Sequence, residues 1–105
     1  PMLSIPELKQ RMDSGEDILV LDVRSAQDFT GEQGHIAGAK NIPLEALPER
    51  LAELGEYEER PIMIVCRTDK RSARAAALLA RAGFADVHVA RGGMTDWHKQ
   101  GYPVA

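Results

Sequence analysis

One cysteine stands in the 105 residues of this chain, at position 66. A single thiol excludes an internal disulfide, a cysteine-only zinc site and a C-x-x-C redox pair. Positive charge is not in excess: thirteen Lys and Arg face sixteen Asp and Glu, a formal −3. That balance speaks against the broad basic surface of a nucleic-acid binder and leaves room for a local cationic patch holding a small anion. No apolar run approaches the roughly 20 residues of a membrane span, and the start of the sequence lacks a basic-then-apolar leader pattern. The expectation is a cytoplasmic protein with no membrane or nucleic-acid partner, acting on small molecules or proteins. Internal repeats, low-complexity tracts and linkers are also missing, so one modest core is expected, a single domain over residues 3–104. Pro1 ahead of Met2 is read as a processing remnant and left out of the expected fold.

What is present reads as alternating elements. Ser4 and Glu7 have capping-box spacing, Leu8 and Met12 share a face, and Gly15 offers a stop, which predicts a first helix. Ile18 to Val23 is a short branched apolar run broken only by Asp22, predicting a buried strand. Ser25 to Asp28 can cap a turn of helix, Gly31, Gly34 and Gly38 keep the stretch to Ala39 mostly loop, and Asn41 to Pro43 is at most a short extended piece. Pro48 is expected to open a helix with Leu47, Leu51 and Leu54 on one side, closed by Gly55.

Pro61 to Val65 is continuous in apolar residues, as expected of a strand with helices over both faces. Ser72 to Ala82 predicts an alanine-rich helix with Leu78 and Leu79 inward, Arg74 and Arg81 outward, and Gly83 as its stop. Asp86 to Ala90 supplies a strand, Arg91 to Gly93 a turn, and Met94 to Gln100 a last helix. The alternation predicts an α/β domain, a central mostly parallel sheet flanked by helices on both faces.

Ligands of such sheets bind beyond the carboxyl ends of the strands, and Cys66 to Ser72 lies there, between a strand and a helix N-terminus. Unpaired N–H groups and the helix dipole favour an anion at that point. Arg67, Lys70 and Arg71 against Asp69 give the loop a formal +2 in a chain that is acidic overall. Both effects favour a thiolate at Cys66, and the same N–H groups suit a persulfide anion. The competing reading is an inert buried thiol at the end of a core strand, with the cations an ordinary solvated surface. Crowding of three cations within five positions of the cysteine weighs against it.

Four pieces carry a resemblance: Leu21 to Arg24, Gly34 to Pro43, the Cys66 to Ser72 loop, and Gly92-Gly93 followed by Trp97. In this order, from about Leu3 to Val104, they resemble the rhodanese domain. The resemblance implies a sulfurtransferase in which Cys66 takes sulfane sulfur from a donor such as thiosulfate or a persulfide. Cysteine-bound sulfur then passes to cyanide or a thiol acceptor, with no cofactor or metal. Rhodanese-fold phosphatases, the nearest alternative, carry one residue more between cysteine and arginine, whereas Arg67 to Lys70 alone separate Cys66 from Arg71 here.

Many relatives have glycine where this loop has Asp69. If that position needs positive φ, aspartate is among the tolerated residues. At the rim its charge is expected to repel an anionic donor, so that Asp69→Gly lowers the Michaelis constant for thiosulfate. Arg67 and Lys70 are expected to hold the donor, and Thr68 and Ser72 to supply hydroxyls, Ser72 also as a helix cap. Arg71 points either outward to substrate or inward to Asp22. Asp22 and Arg24 are read as a structural pair, and His35 as structural support. His88 and His98 are expected at the surface, and Trp97 is expected to act as a lid or core anchor. With no second cysteine the sulfur must leave the chain. Two function classes follow: an enzyme with small-molecule acceptors, or a non-catalytic or sulfur-relay binding module delivering to a partner protein such as a sulfur carrier.

Overall fold

The computed structural model describes residues Pro1–Ala105. Five parallel strands form one sheet, in the order β1-β5-β4-β2-β3: β1 Met2–Leu3, β2 Leu19–Asp22, β3 Lys40–Asn41, β4 Ile62–Val65 and β5 Val87–Ala90. The helices are α1 Ile5–Asp13, α2 Ala26–Phe29, α3 Lys70–Arg81 and α4 Gly93–Lys99. β2 and β4 lie in the middle and are buried along their whole length, which is why their sequences run apolar instead of alternating.

Side-chain alternation splits the core in two. Leu19, Leu21, Ile62 and Ile64 pack on one face with Ala75 and Leu79 of α3, while Val20, Met63 and Val65 pack on the other with Ile5, Leu8, Met94 and Trp97 of α1 and α4. α1 starts in a reciprocal capping box, Ser4 Oγ accepting from Glu7 N–H at 3.1 Å and Glu7 Oε1 accepting from Ser4 N–H at 3.0 Å. α3 buries Ser72, Ala75 and Leu79, one stripe of its surface, and leaves Leu78 half-buried.

Three expectations change. Pro1 takes part in the sheet: its carbonyl accepts from Val89 N–H at 3.1 Å, extending a β1 that the sequence reading lacked. No α-helix opens at Pro48; the segment forms two 3-10 stretches, Leu44–Glu49 and Leu51–Tyr57, with Pro48 inside the first and Gly55 inside the second. A proline in a helix interior removes one N–H and crowds the preceding turn, which disfavours an α-helix there. Leu47 and Leu54 still bury fully from these short stretches. α3 begins at Lys70, two residues earlier than expected, which moves Ser72 from the cap to its third residue.

Candidate active site

β4 delivers Cys66 to the carboxyl edge of the sheet, where it is fully buried in the cluster of Ile64, Ala75 and Leu79. The chain then turns through Arg67 and Thr68 into α3. The amide N–H groups of Arg67, Thr68, Asp69, Lys70, Arg71 and Ser72 donate to no acceptor of the protein, and the first helical bond is Ala73 N–H to Asp69 O at 2.9 Å. A helix N-terminus always leaves such donors, and here the loop adds two more beside the thiol. Ser72 Oγ, fully buried, also lacks a partner.

Asp69 leaves the helix N-terminus among these donors uncapped. It occupies the N-cap position of α3, yet its carboxylate does not cap that helix. Oδ1 instead accepts from Gly92 N–H at 2.8 Å, ahead of α4. Met94 N–H donates to Cys66 O at 2.9 Å and Thr95 N–H to Arg67 O at 3.0 Å, so the start of α4 is capped by the cysteine loop. The fit requires glycine: at Gly93, with φ +52°, a Cβ would lie 2.3 Å from Cys66 O and 2.6 Å from Thr68 O. Asp69 itself has φ −133°, so its position needs no left-handed backbone, and its charge is turned into the fold instead of standing at the rim.

Beside the loop opens a cavity of about 320 Å³ with no hydrophobic lining. Arg67, Arg71 and Arg24 stand along it together with Asp28, Glu32 and Gln33, the latter three from α2 and the loop after it. Arg71 therefore faces the cavity and not Asp22. Thr68, Asp69, Lys70 and Ser72 do not line it. Cys66 has no exposed surface and does not line the cavity, so contact with any donor requires a local movement of the loop.

Behind the cavity lies a buried ion pair. Arg24 Nη2 donates to Asp22 Oδ2 at 2.8 Å and to Gly34 O at 2.9 Å, and Arg24 N–H donates to Asp22 Oδ1 at 3.0 Å. Asn41 Nδ2 ties the same turn by donating to the carbonyls of Asp22 and Arg24 at 3.0 and 2.9 Å. His35 stacks on Phe29 with ring centroids 3.8 Å apart and holds Phe29 O with Nδ1 at 2.9 Å. Trp97 is a core anchor, 1% exposed, its indole N–H donating to Pro103 O at 2.9 Å. His98 is exposed, whereas His88 is half-buried against Asp86. No three His, Cys, Asp or Glu side chains converge as metal ligands would. Sequence reasoning missed Asp28, Glu32 and Gln33 as site residues; their only signal was their place in a short turn of helix and the glycine-marked loop after it.

Residues 4–100 match the family model of the rhodanese-like domain. The chain belongs to that family. A protein of Allochromatium vinosum named "Sulfurtransferase" is 34% identical over 97 residues, covering 92% of this chain and 87% of its own length. The "Putative sulfur carrier protein YrkF" of Bacillus subtilis is 38% identical over 97 residues, and the match takes in 92% of this chain but only 50% of that protein. The human single-domain sulfurtransferase TSTD1 superposes with a TM-score of 0.78 at 28% identity, over 95% of this chain and 96% of that one. A rhodanese fold with relatives among sulfurtransferases and sulfur carriers accounts for the parallel sheet, its two helical layers and the cysteine loop at its edge.

Proposed function

We propose that residues 3–104 form one catalytic domain, a sulfurtransferase that carries sulfane sulfur as a persulfide of Cys66. The observation that carries this reading is the run of six amide donors without a protein acceptor, Arg67 to Ser72, that directly follows the cysteine into a helix N-terminus. Such donors stabilise a sulfur anion without a cofactor. In the first half-reaction the Cys66 thiolate attacks the outer sulfur of thiosulfate. A sulfur–sulfur bond forms to Cys66, the donor's sulfur–sulfur bond breaks, and sulfite leaves with its electron pair. In the second, cyanide or a thiolate attacks the outer sulfur and Cys66 departs as thiolate, so each sulfur atom taken in is passed out.

Arg67 and Arg71 attract the anionic donor and leaving sulfite along the cavity, with Lys70 adding charge at the loop. Thr68, Asp69 and Ser72 shape the loop, Ser72 Oγ adding a buried donor. Asp22, Arg24 and His35 hold the wall behind it. A reducing cytoplasm suits a lone reactive thiol.

Mass spectrometry after brief exposure to thiosulfate tests the reading. The expected result is a gain of one sulfur atom that cyanide removes and that Cys66→Ala lacks; no adduct with thiosulfate, glutathione persulfide or mercaptopyruvate overturns it. The name of the Bacillus relative supports a second reading, a relay that yields its sulfur only to a protein. Steady turnover with small thiols decides for the enzyme.

A further inference from the structure

The charges of this chain are divided at Cys66. Residues 1–65 hold six Lys and Arg against thirteen Asp and Glu, a formal −7, whereas residues 66–105 hold seven against three, a formal +4. Pairing follows the same division. All six cations before Cys66 form ion pairs: Lys9 with Asp13, Arg11 with Glu16, Arg24 with Asp22, Lys40 and Arg50 with Glu53, and Arg60 with Asp17. None of the seven after it has an acidic partner within 4.0 Å. The nearest carboxylate in sequence, Asp69, is held by Gly92 N–H.

Three of the free cations are also ordered. Lys70, Arg74 and Arg81 are exposed, and at 100° per residue they fall within about 40° of arc on α3, opposite the buried Ser72, Ala75 and Leu79. The stripe runs about 16 Å down the helix from the cysteine loop, with exposed Arg67 at its head. A solvated face of an acidic protein would mix signs, as the rest of this surface does.

We infer that this stripe docks an acidic protein face that surrounds the thiol accepting sulfur from Cys66. The inference rests on the sulfurtransferase reading and adds the partner's class. Cyanide, or a small thiol seated in the cavity between Arg67 and Arg71, cannot reach Arg74 and Arg81; a protein can span both. Phosphate polymers and lipid headgroups fit the charge but carry no thiol to receive sulfur. In the docked complex the partner's thiolate attacks the outer persulfide sulfur, the partner gains a persulfide, and Cys66 leaves as thiolate.

The test uses two helical peptides of about four turns, each with one terminal cysteine, one bearing glutamate and the other lysine along one face. At low salt the acidic peptide should take sulfur from persulfidated protein about tenfold faster, a difference that high salt removes. Arg74→Glu with Arg81→Glu should abolish or invert that preference and leave thiosulfate:cyanide turnover unchanged, which also shows that the variant is folded. Equal rates with both peptides, or a preference that survives the double reversal, overturns the inference. So does binding of phosphatidylglycerol vesicles or duplex DNA more tightly than the acidic peptide, with loss on the same reversal. Peptide binding to Cys66→Ala, read by fluorescence anisotropy, separates the two failures: charge-selective binding without any sulfur transfer sinks the catalytic reading alone.

Discussion

Removing the carboxylate of Asp69 separates two roles that the loop charge alone would confuse. Asp69→Gly deletes both the charge and the acceptor for Gly92 N–H, whereas Asp69→Asn keeps an oxygen in place and deletes only the charge. A hydrogen bond from a backbone N–H to an ionised acceptor contributes about 2 kcal/mol. Its loss should lower the melting temperature of a domain this size by roughly 10 °C. If about 1.4 kcal/mol of it is withdrawn from the reacting state, turnover falls about tenfold. Both variants raise the loop from a formal +2 to +3, which lowers the Michaelis constant for thiosulfate in each. The distinguishing quantity is kcat: reduced in Asp69→Gly, within about twofold of the parent in Asp69→Asn. Initial rates of thiocyanate formation over a thiosulfate series, with thermal melts of the same samples, give every term. An Asp69→Gly protein with the parent's kcat and melting temperature and only a lower Michaelis constant refutes the clasp and returns Asp69 to a rim charge.

Gly93→Ala should cost about 3 kcal/mol, from a Cβ driven against Cys66 O and from the left-handed backbone, and thermal melts would register it as the loss of more than about 10 °C. Arg24→Met strands the Asp22 carboxylate in the core and should destabilise by about 3–5 kcal/mol in urea titrations, whereas Arg24→Met with Asp22→Asn should recover part of that loss. The Glu53 carboxyl is held down to about 2 by hydrogen bonds from Arg50 and then Lys40, against an ordinary 4.5. Its stabilising contribution is therefore complete above pH 4.5 and lost as pH falls toward about 2, so Glu53→Gln should flatten the pH dependence of stability in that window. Because Cys66 has no exposed surface, alkylation should be slower in the native state than in denaturant, and the native-to-denatured rate ratio should be smaller for a bulky maleimide than for iodoacetamide.

Local chemistry made β4, Cys66 and α3 readable, since a continuous apolar run, a polar turn and an alanine-rich stripe lie within about twenty consecutive residues. What escaped depended on distant partners. β1 is two residues long and exists because Met2 and Leu3 find the edge of β5, a fact no window around Pro1 contains. The 3-10 stretches follow from Pro48 lying inside a segment whose leucines still demand burial, where a leucine pattern alone suggests an α-helix. Asp69 was visible as a departure from the family's glycine, but its bond to a residue 23 positions away was not, and so its charge was assigned to the rim. Arg71 could not be aimed from sequence because the choice depended on Arg24 already saturating Asp22.

The segments carrying the family resemblance serve the cysteine loop in different ways. Arg24 closes the Asp22 charge and also donates to Gly34 O, while Asn41 ties the carbonyls of that turn, so no buried carboxylate recruits Arg71 away from the cavity. The start of α4 takes up the carbonyls of Cys66 and Arg67 through Met94 N–H and Thr95 N–H, and Gly92 N–H takes up the Asp69 carboxylate. Six amides and one hydroxyl remain without an acceptor, in a fold that otherwise leaves no buried side-chain polar atom unpartnered. A protein tolerates that imbalance where an anion completes it. In the sulfurtransferase reading proposed above, Cys66 supplies that anion, as thiolate or persulfide.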